Sequence, residues 1–401
     1  MIAPLTNLVS IKRVAAVIVS SVIALGTASR QEREQKPTTI ADLRNAIEAV
    51  LHETRTPGAG IAIVSRDENE WAAGLGVADV ARKTAATAET LFRIGSISKS
   101  FAALAALKLQ EEGKLKLSDT LKQWLPEVAY ENPWESTDPV RLVHLMEHTA
   151  GFDDMHLREW AHNDPTPIAL KEALAYGAES RVSRWRPGTR MAYCNSGPAL
   201  VAAVIEKVSG QRFEDYVQEN IFNPLKMETA SFFLTPEVEQ RLTKLYRPDG
   251  ITPYPYWHLC FRPTGFVNAS AKDMANYVRF YIQRGSLDGA QILQPASIAR
   301  METTETLPSA RLGSIAGYGL YNYAIPEDAF TFRGHGGAVM GGLSGMAYLS
   351  DAGRGYAVMI NSRNGHALWR ITKLIRTYLV RDLTPPLLPP SVFVPAEFQR
   401  H

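Results

Sequence analysis

Cysteine is nearly missing from this chain. Cys194 and Cys260 are the only two among 401 residues, too few for a disulfide framework or a zinc-type cysteine cluster. A surplus of either charge is missing too. With 43 Lys and Arg against 41 Asp and Glu, the net charge is +2. No long Lys/Arg run and no basic–aromatic interleaving marks a nucleic-acid or anionic-membrane surface. No apolar run reaches the ~20 residues that a membrane-spanning helix needs. Gly-x-Ser-x-Gly does not occur, which argues against the nucleophile elbow of an α/β-hydrolase. Repeats and low-complexity segments are also absent. What is present, 45% hydrophobic and 21% charged residues, is the composition of a globular protein with a substantial core. A prior of roughly 150 residues per domain gives two or three domains, or one large domain with an insertion.

The first 28 residues read as an export signal. Lys12 and Arg13 precede an apolar run over 14–26, and Gly26-Thr27-Ala28 offers small residues for cleavage near Ser29. The expected location is therefore periplasmic or secreted, with no stable membrane span after cleavage; left uncleaved, the same run is an N-terminal anchor. No cysteine follows the run to take a lipid. Residues 29–39 are a polar, flexible lead-in. Export permits a disulfide, but both cysteines are expected as free thiols, because a crosslink at Cys194 would crowd the motif that contains it.

Hydrophobic periodicity sets the organisation. A helix is expected over 40–52, then short strands over 60–65 and 71–77, then a helix over 98–112 that is apolar on all sides and therefore buried. Gly113 ends it. Further helices are expected over 140–147, 165–176, 196–208 and 213–221. From residue 330 the pattern turns to strands, at 330–333, 342–349 and 356–360, closed by a helix over 367–380. Strands at both chain ends must pair into one sheet, which makes an α/β domain from 40–100 and 265–382 with a mainly helical insertion over 101–264. Residues 383–401 form a proline-rich tail.

Three motifs carry chemistry. Ser96-Ile97-Ser98-Lys99 places a lysine three residues after a serine, on one face of a helix that starts there. A hydroxyl beside a cation and a base can act as a nucleophile, and the helix dipole favours developing negative charge. A buried lysine lowers its pKa readily and can carry the serine proton. Tyr193-Cys194-Asn195 offers a phenol whose pKa a neighbouring lysine would lower, making it a base. His335-Gly336-Gly337 offers glycines that let a strand approach a substrate. Separately, His144-Leu145-Met146-Glu147-His148 spells the inverted zinc-protease motif, with two histidines for a metal and Glu147 as base. A third ligand is not evident, and Gly151 stops that helix at once. Tyr246, Tyr254, Tyr256, Trp257 and Phe261 either wall the cleft or form a packed loop.

Taken in order, Phe92-Arg93-Ile94-Gly95-Ser96-Ile97-Ser98-Lys99, His148-Thr149-Ala150-Gly151, Arg186-Pro187-Gly188, Tyr193-Cys194-Asn195-Ser196-Gly197, Pro224-Leu225-Lys226-Met227 and His335-Gly336-Gly337 resemble the serine β-lactamase-like and penicillin-binding hydrolases. The match is to the class C branch, with its esterases and D-amino-acid peptidases, over about 40–380. The resemblance implies the fold of that family, an antiparallel sheet flanked by helices with an inserted helical domain. It implies Ser96 as the acylated nucleophile, Lys99 and Tyr193 as proton carriers, and Asn195 as the amide that orients substrate and lysine. His335, Gly336 and Gly337 become the substrate-facing strand, and the backbone N–H groups of Ser96 and Ala338 the oxyanion hole. No metal or cofactor is implied, and the partner is a small-molecule or short-peptide substrate.

The departure is His335, where β-lactamases usually carry lysine. An unperturbed histidine is only about a quarter protonated at pH 7. The expected substrates are therefore esters or small D-amino-acid amides and peptides. The alternatives are a β-lactamase or D-alanyl carboxypeptidase, a slowly acylating penicillin-binding or sensor protein, and a zinc protease built on His144, Glu147 and His148.

Overall fold

A computed structural model describes residues 36–386, apart from 161–163 and 315–316. The export signal and most of the proline-rich tail lie outside the described residues. Among those described, no helix is long and apolar enough to cross a membrane.

The chain opens with helix α1 (Ile40–Glu53), started by a capping box in which Thr39 and Asp42 satisfy each other's backbone N–H. Strands β1 (Gly58–Ser65), β2 (Trp71–Asp79) and β3 (Thr84–Ala85) follow. Four strands close the chain: β4 (Tyr323–Glu327), β5 (Phe330–Val339), β6 (Gly342–Leu349) and β7 (Arg354–Ile360). Together they make one seven-stranded antiparallel sheet in the order β4-β5-β6-β7-β1-β2-β3. Its seam joins the two chain ends: Ala59 pairs with Ile360 and Ser65 with Arg354. The expected sheet from both ends is therefore what forms. Strand β4 went unrecognised because Pro326 interrupts its run. The third-motif strand is also longer than its expected 330–333 and carries His335 to Ala338 within it.

Strand β1 is buried on both faces. Ala59, Ile61 and Ile63 meet Leu43 and Ile47 of α1 and Ile371 and Ile375 of the closing helix Gly365–Leu379. Ala62 and Val64 point the other way, into a cluster with Tyr277 and Val278 of helix Ala271–Ile282. That second cluster continues without a break into the middle of the chain, so sheet and helical region share a core. At its centre lies Lys99–Glu111, whose Phe101, Leu104 and Leu107 are fully buried, as its all-round apolar pattern requires. Helix Gly197–Ser209 packs on it, with Pro198 in its first turn and Gly210 as a left-handed stop.

Other expectations shrink. Only Leu170–Ala173 is helical within 165–176, and 213–221 divides into Phe213–Val217 and a π-helical turn, Gln218–Phe222. Cys194 and Cys260 are both free and buried.

Candidate active site

Ser96 does not begin the α-helix. It lies in a 3-10 turn, Gly95–Ser98, that feeds Lys99–Glu111. Gly95 has φ +54°, a conformation that favours glycine. The turn is pinned from both sides: Ile94 N–H donates to Val267 O at 3.0 Å, and Ser344 Oγ donates to Ile94 O at 2.8 Å. Gly337 is where β5 crosses this turn, and a Cβ there would collide with the Ile94 carbonyl. Its glycine thus serves contact between strand and turn, and Gly337 also lines the cleft that holds Ser96.

Lys99 is fully buried, and its Nζ lies 2.8 Å from Ser96 Oγ and 2.8 Å from the Thr264 carbonyl. Burial pushes its pKa down to about 7, with Asp154 partly opposing the shift. Near neutral pH the amine is therefore available as an acceptor. Tyr193 presents its phenol to Ser96, with its ring centroid 5.0 Å from Lys99 Nζ. The expected lowering of its pKa is overturned. Burial raises it, and Ser96 offsets only part of the rise. A phenol held protonated can donate, and Lys99 is the group whose lowered pKa is matched to accept a proton.

Asn195 is tied to the surroundings of Lys99. Its Nδ2 donates to both carboxylate oxygens of Asp154, at 2.9 and 3.0 Å, and its carbonyl accepts from Thr264 Oγ1 at 2.7 Å. It braces Asp154 and Thr264, both electrostatic or hydrogen-bond partners of Lys99.

His335 is 3% exposed, and burial with Lys99 nearby drives its pKa down to about 3. Even the quarter-charge expected of it is lost, and the imidazole is neutral. Its tautomer follows from its neighbours. Cys194 N–H donates to His148 Nδ1 at 3.1 Å, so the proton of neutral His148 sits on Nε2, 3.2 Å from the Tyr318 hydroxyl. That hydroxyl lies 2.5 Å from His335 Nε2, and His335 Nδ1 lies 2.5 Å from the Gly336 carbonyl, which can only accept. One directed chain therefore links the second motif to the third. Gly336 N–H donates to Tyr323 Oη at 3.0 Å. Ala338, two residues on, turns its N–H toward the same edge, beside Gly95.

Ser96, Tyr193, His335 and Ala338 line a cleft of about 810 Å³, to which Met191, Leu307, Tyr323 and Leu368 add apolar surface. The aromatic stretch 246–261 is elsewhere: Tyr246 accepts from Val80 N–H and Trp257 donates to the Trp160 carbonyl. Asp154, Thr264 and Tyr318 were missed by sequence reasoning. Asp154 follows closely on His148-Thr149-Ala150-Gly151, and Tyr318 is flanked by Gly317 and Gly319, a weak signal for a tight aromatic turn.

The zinc-motif residues point apart. His144 Nδ1 accepts from Arg141 N–H, His148 belongs to the chain above, and Glu147 is paired with Arg300 and with the backbone of Glu305 and Thr306. Among the described residues, no three His, Cys, Asp or Glu side chains are grouped to hold a metal ion.

The family profile Beta-lactamase matches residues 43–375. Penicillin-binding protein 4 of Amycolatopsis lactamdurans is 26% identical over 370 residues, 89% of this chain and 93% of that protein. A beta-lactamase of Escherichia coli (strain K12) is 26% identical over 271 residues, 67% of this chain and 68% of that one. Among solved structures, the octameric penicillin-binding protein homologue from Pyrococcus abyssi superposes with a TM-score of 0.71 at 27% identity, covering 88% of this chain and 79% of that chain.

Proposed function

The chain belongs to the Beta-lactamase family, and on that premise we propose that it is an exported serine hydrolase that forms an acyl-enzyme on Ser96, with neutral esters or small D-amino-acid amides as substrates. The observation that carries this reading is the 2.8 Å separation of Ser96 Oγ from a buried lysine whose pKa lies at about 7. Neutral Lys99 takes the Ser96 proton as Oγ attacks the substrate carbonyl. The oxyanion formed accepts from the N–H groups of Ser96 and Ala338. Tyr193, which keeps its proton at neutral pH, passes one to the leaving alcohol or amine and is reprotonated from Lys99. Neutral Lys99 then takes a proton from water as the water oxygen attacks the acyl carbonyl, the Oγ–acyl bond breaks, Ser96 Oγ regains the proton from Lys99, and the acid departs. The neutral His335 and apolar walls favour an uncharged acyl donor over one recognised through a carboxylate.

The test is a panel of short-chain chromogenic esters, D-alanyl peptides and a chromogenic cephalosporin, run on the wild type and on Ser96→Ala. Ester turnover lost in Ser96→Ala, with an acyl mass adduct on the wild type alone, supports the reading. Retained turnover removes Ser96 from its role. β-Lactam hydrolysis is a second reading, favoured by the similarity to the beta-lactamase of Escherichia coli; rapid cephalosporin turnover would establish it in place of ester specificity. One equivalent of product followed by silence would mark a slow acylating sensor instead.

A further inference from the structure

Arg93 carries a charge that the fold leaves unanswered. It lies on the two-residue strand Phe92–Arg93, is 3% exposed, and has its Nε buried without a hydrogen-bond partner. Among the described residues no carboxylate acts on it, and Tyr256 is its one electrostatic neighbour. Its guanidinium carbon is 4.4 Å from the ring centroids of both Tyr256 and Phe266, two rings inclined at 75° that make a corner around the cation. Cation–π attraction offsets part of the desolvation cost but leaves the N–H donors unused. The Tyr256 hydroxyl is also buried without a partner. Two orphaned polar groups on adjoining side chains are rare in a native fold and call for an occupant.

Both side chains line a groove of about 280 Å³, bounded by Leu242, Leu245, Tyr254 and Pro255, with Lys244 and Glu239 also on its lining. None of these residues lines the cleft that holds Ser96. The groove counts two cations and one carboxylate, and arginine stays charged at any working pH. Its walls are largely apolar; Arg93 and Lys244 can only donate, the hydroxyls of Thr243, Tyr254 and Tyr256 can donate or accept, and Glu239 accepts. A planar carboxylate matches a guanidinium edge in a way a neutral ligand does not. We propose that this groove is a second binding site, for small carboxylates with an apolar body, in which the carboxylate accepts from Arg93 and from the Tyr256 hydroxyl. The proposal is independent of acylation at Ser96.

Benzoate is the probe, with benzamide as its uncharged counterpart. Calorimetric titration and thermal melting at fixed ionic strength are run on the wild type, Ser96→Ala, Arg93→Gln and Tyr256→Phe. Saturable benzoate binding and a raised melting temperature are expected for the wild type and Ser96→Ala, with none for benzamide. Arg93→Gln is expected to weaken binding at least about tenfold, and Tyr256→Phe to weaken it several-fold. Circular dichroism checks the fold of each variant, and Tyr256→Phe decides the matter should Arg93→Gln not fold. Absent binding, equal affinity for benzamide, or an affinity unmoved by the groove variants overturns the proposal. Loss of binding in Ser96→Ala would assign benzoate to the acylation cleft and overturn it as well.

Discussion

The hydroxyl of Tyr318 stands between two imidazoles, 3.2 Å from His148 Nε2 and 2.5 Å from His335 Nε2. All three side chains are buried, and the hydroxyl is a partner to both rings at once. Tyr318→Phe keeps the ring and removes that link. It should cost about 1–3 kcal/mol of stability, the penalty for buried polar groups left unsatisfied. It should also lower kcat, since β5 and Tyr193 lose a common tie. Urea melts and ester kinetics measure both; unchanged stability would mean the chain is not formed.

Lys99 governs the pH profile. Its amine accepts a proton only when neutral, so kcat/KM should rise with pH through about 7, the value to which burial lowers it. Lys99→Met should lower kcat/KM by about 10²–10⁴. The Asp154 charge raises the lysine pKa. Asp154→Asn should therefore move the rising limb to lower pH, while a shift to higher pH would contradict the arrangement.

The same lysine makes a stability prediction of definite sign. Its folded pKa, about 7, is below its ordinary 10.5, so the unfolded chain binds the extra proton between those values. Stability should rise with pH across that window, and the cost of burying the cation is fully present below pH 7. The shift corresponds to on the order of 5 kcal/mol. Lys99→Met should stabilise the fold most below pH 7 and progressively less toward pH 10.5, as read from denaturant midpoints.

Acid should undo the histidine core. Burial lowers His335 to about 3, His144 to about 4, and His148 well below its ordinary value. Each binds its proton more readily unfolded, so stability should fall as pH drops from 6.5 toward 4, with proton uptake on unfolding. Calorimetry in buffers of different ionisation enthalpy measures that uptake; none would place these rings in water.

Gly337→Ala and Gly365→Ala form a contrast. A Cβ at Gly337 meets the Ile94 carbonyl, whereas one at Gly365 meets nothing within 4 Å. The first should destabilise by about 1–3 kcal/mol or more and displace the Ser96 turn. The second, in the first turn of a helix, should be within about 1 kcal/mol of neutral or stabilising. Thermal melts and ester kinetics distinguish them.

Much of the fold was legible in linear patterns. The all-round apolar run around Phe101 announced a buried helix, and alternation near 342–349 announced a strand. Strand β4 and the break at Gln218–Phe222 were not legible, because proline and backbone packing there act against local periodicity. At the site, Ser96, Lys99, Tyr193 and His335 stood out by spacing. Asp154, Thr264 and Tyr318 did not, since each acts through an atom brought in from far along the chain.

By itself the sequence determined the kinds of groups at the site and their order along the chain, because spacing within a turn is a local property of the backbone. Only the tertiary structure decided their protonation. Burial, which no motif records, lowers Lys99 toward neutrality, raises Tyr193 and strips charge from His335. Desolvation depends on every residue packed around a group, and so it is set when the chain closes on itself.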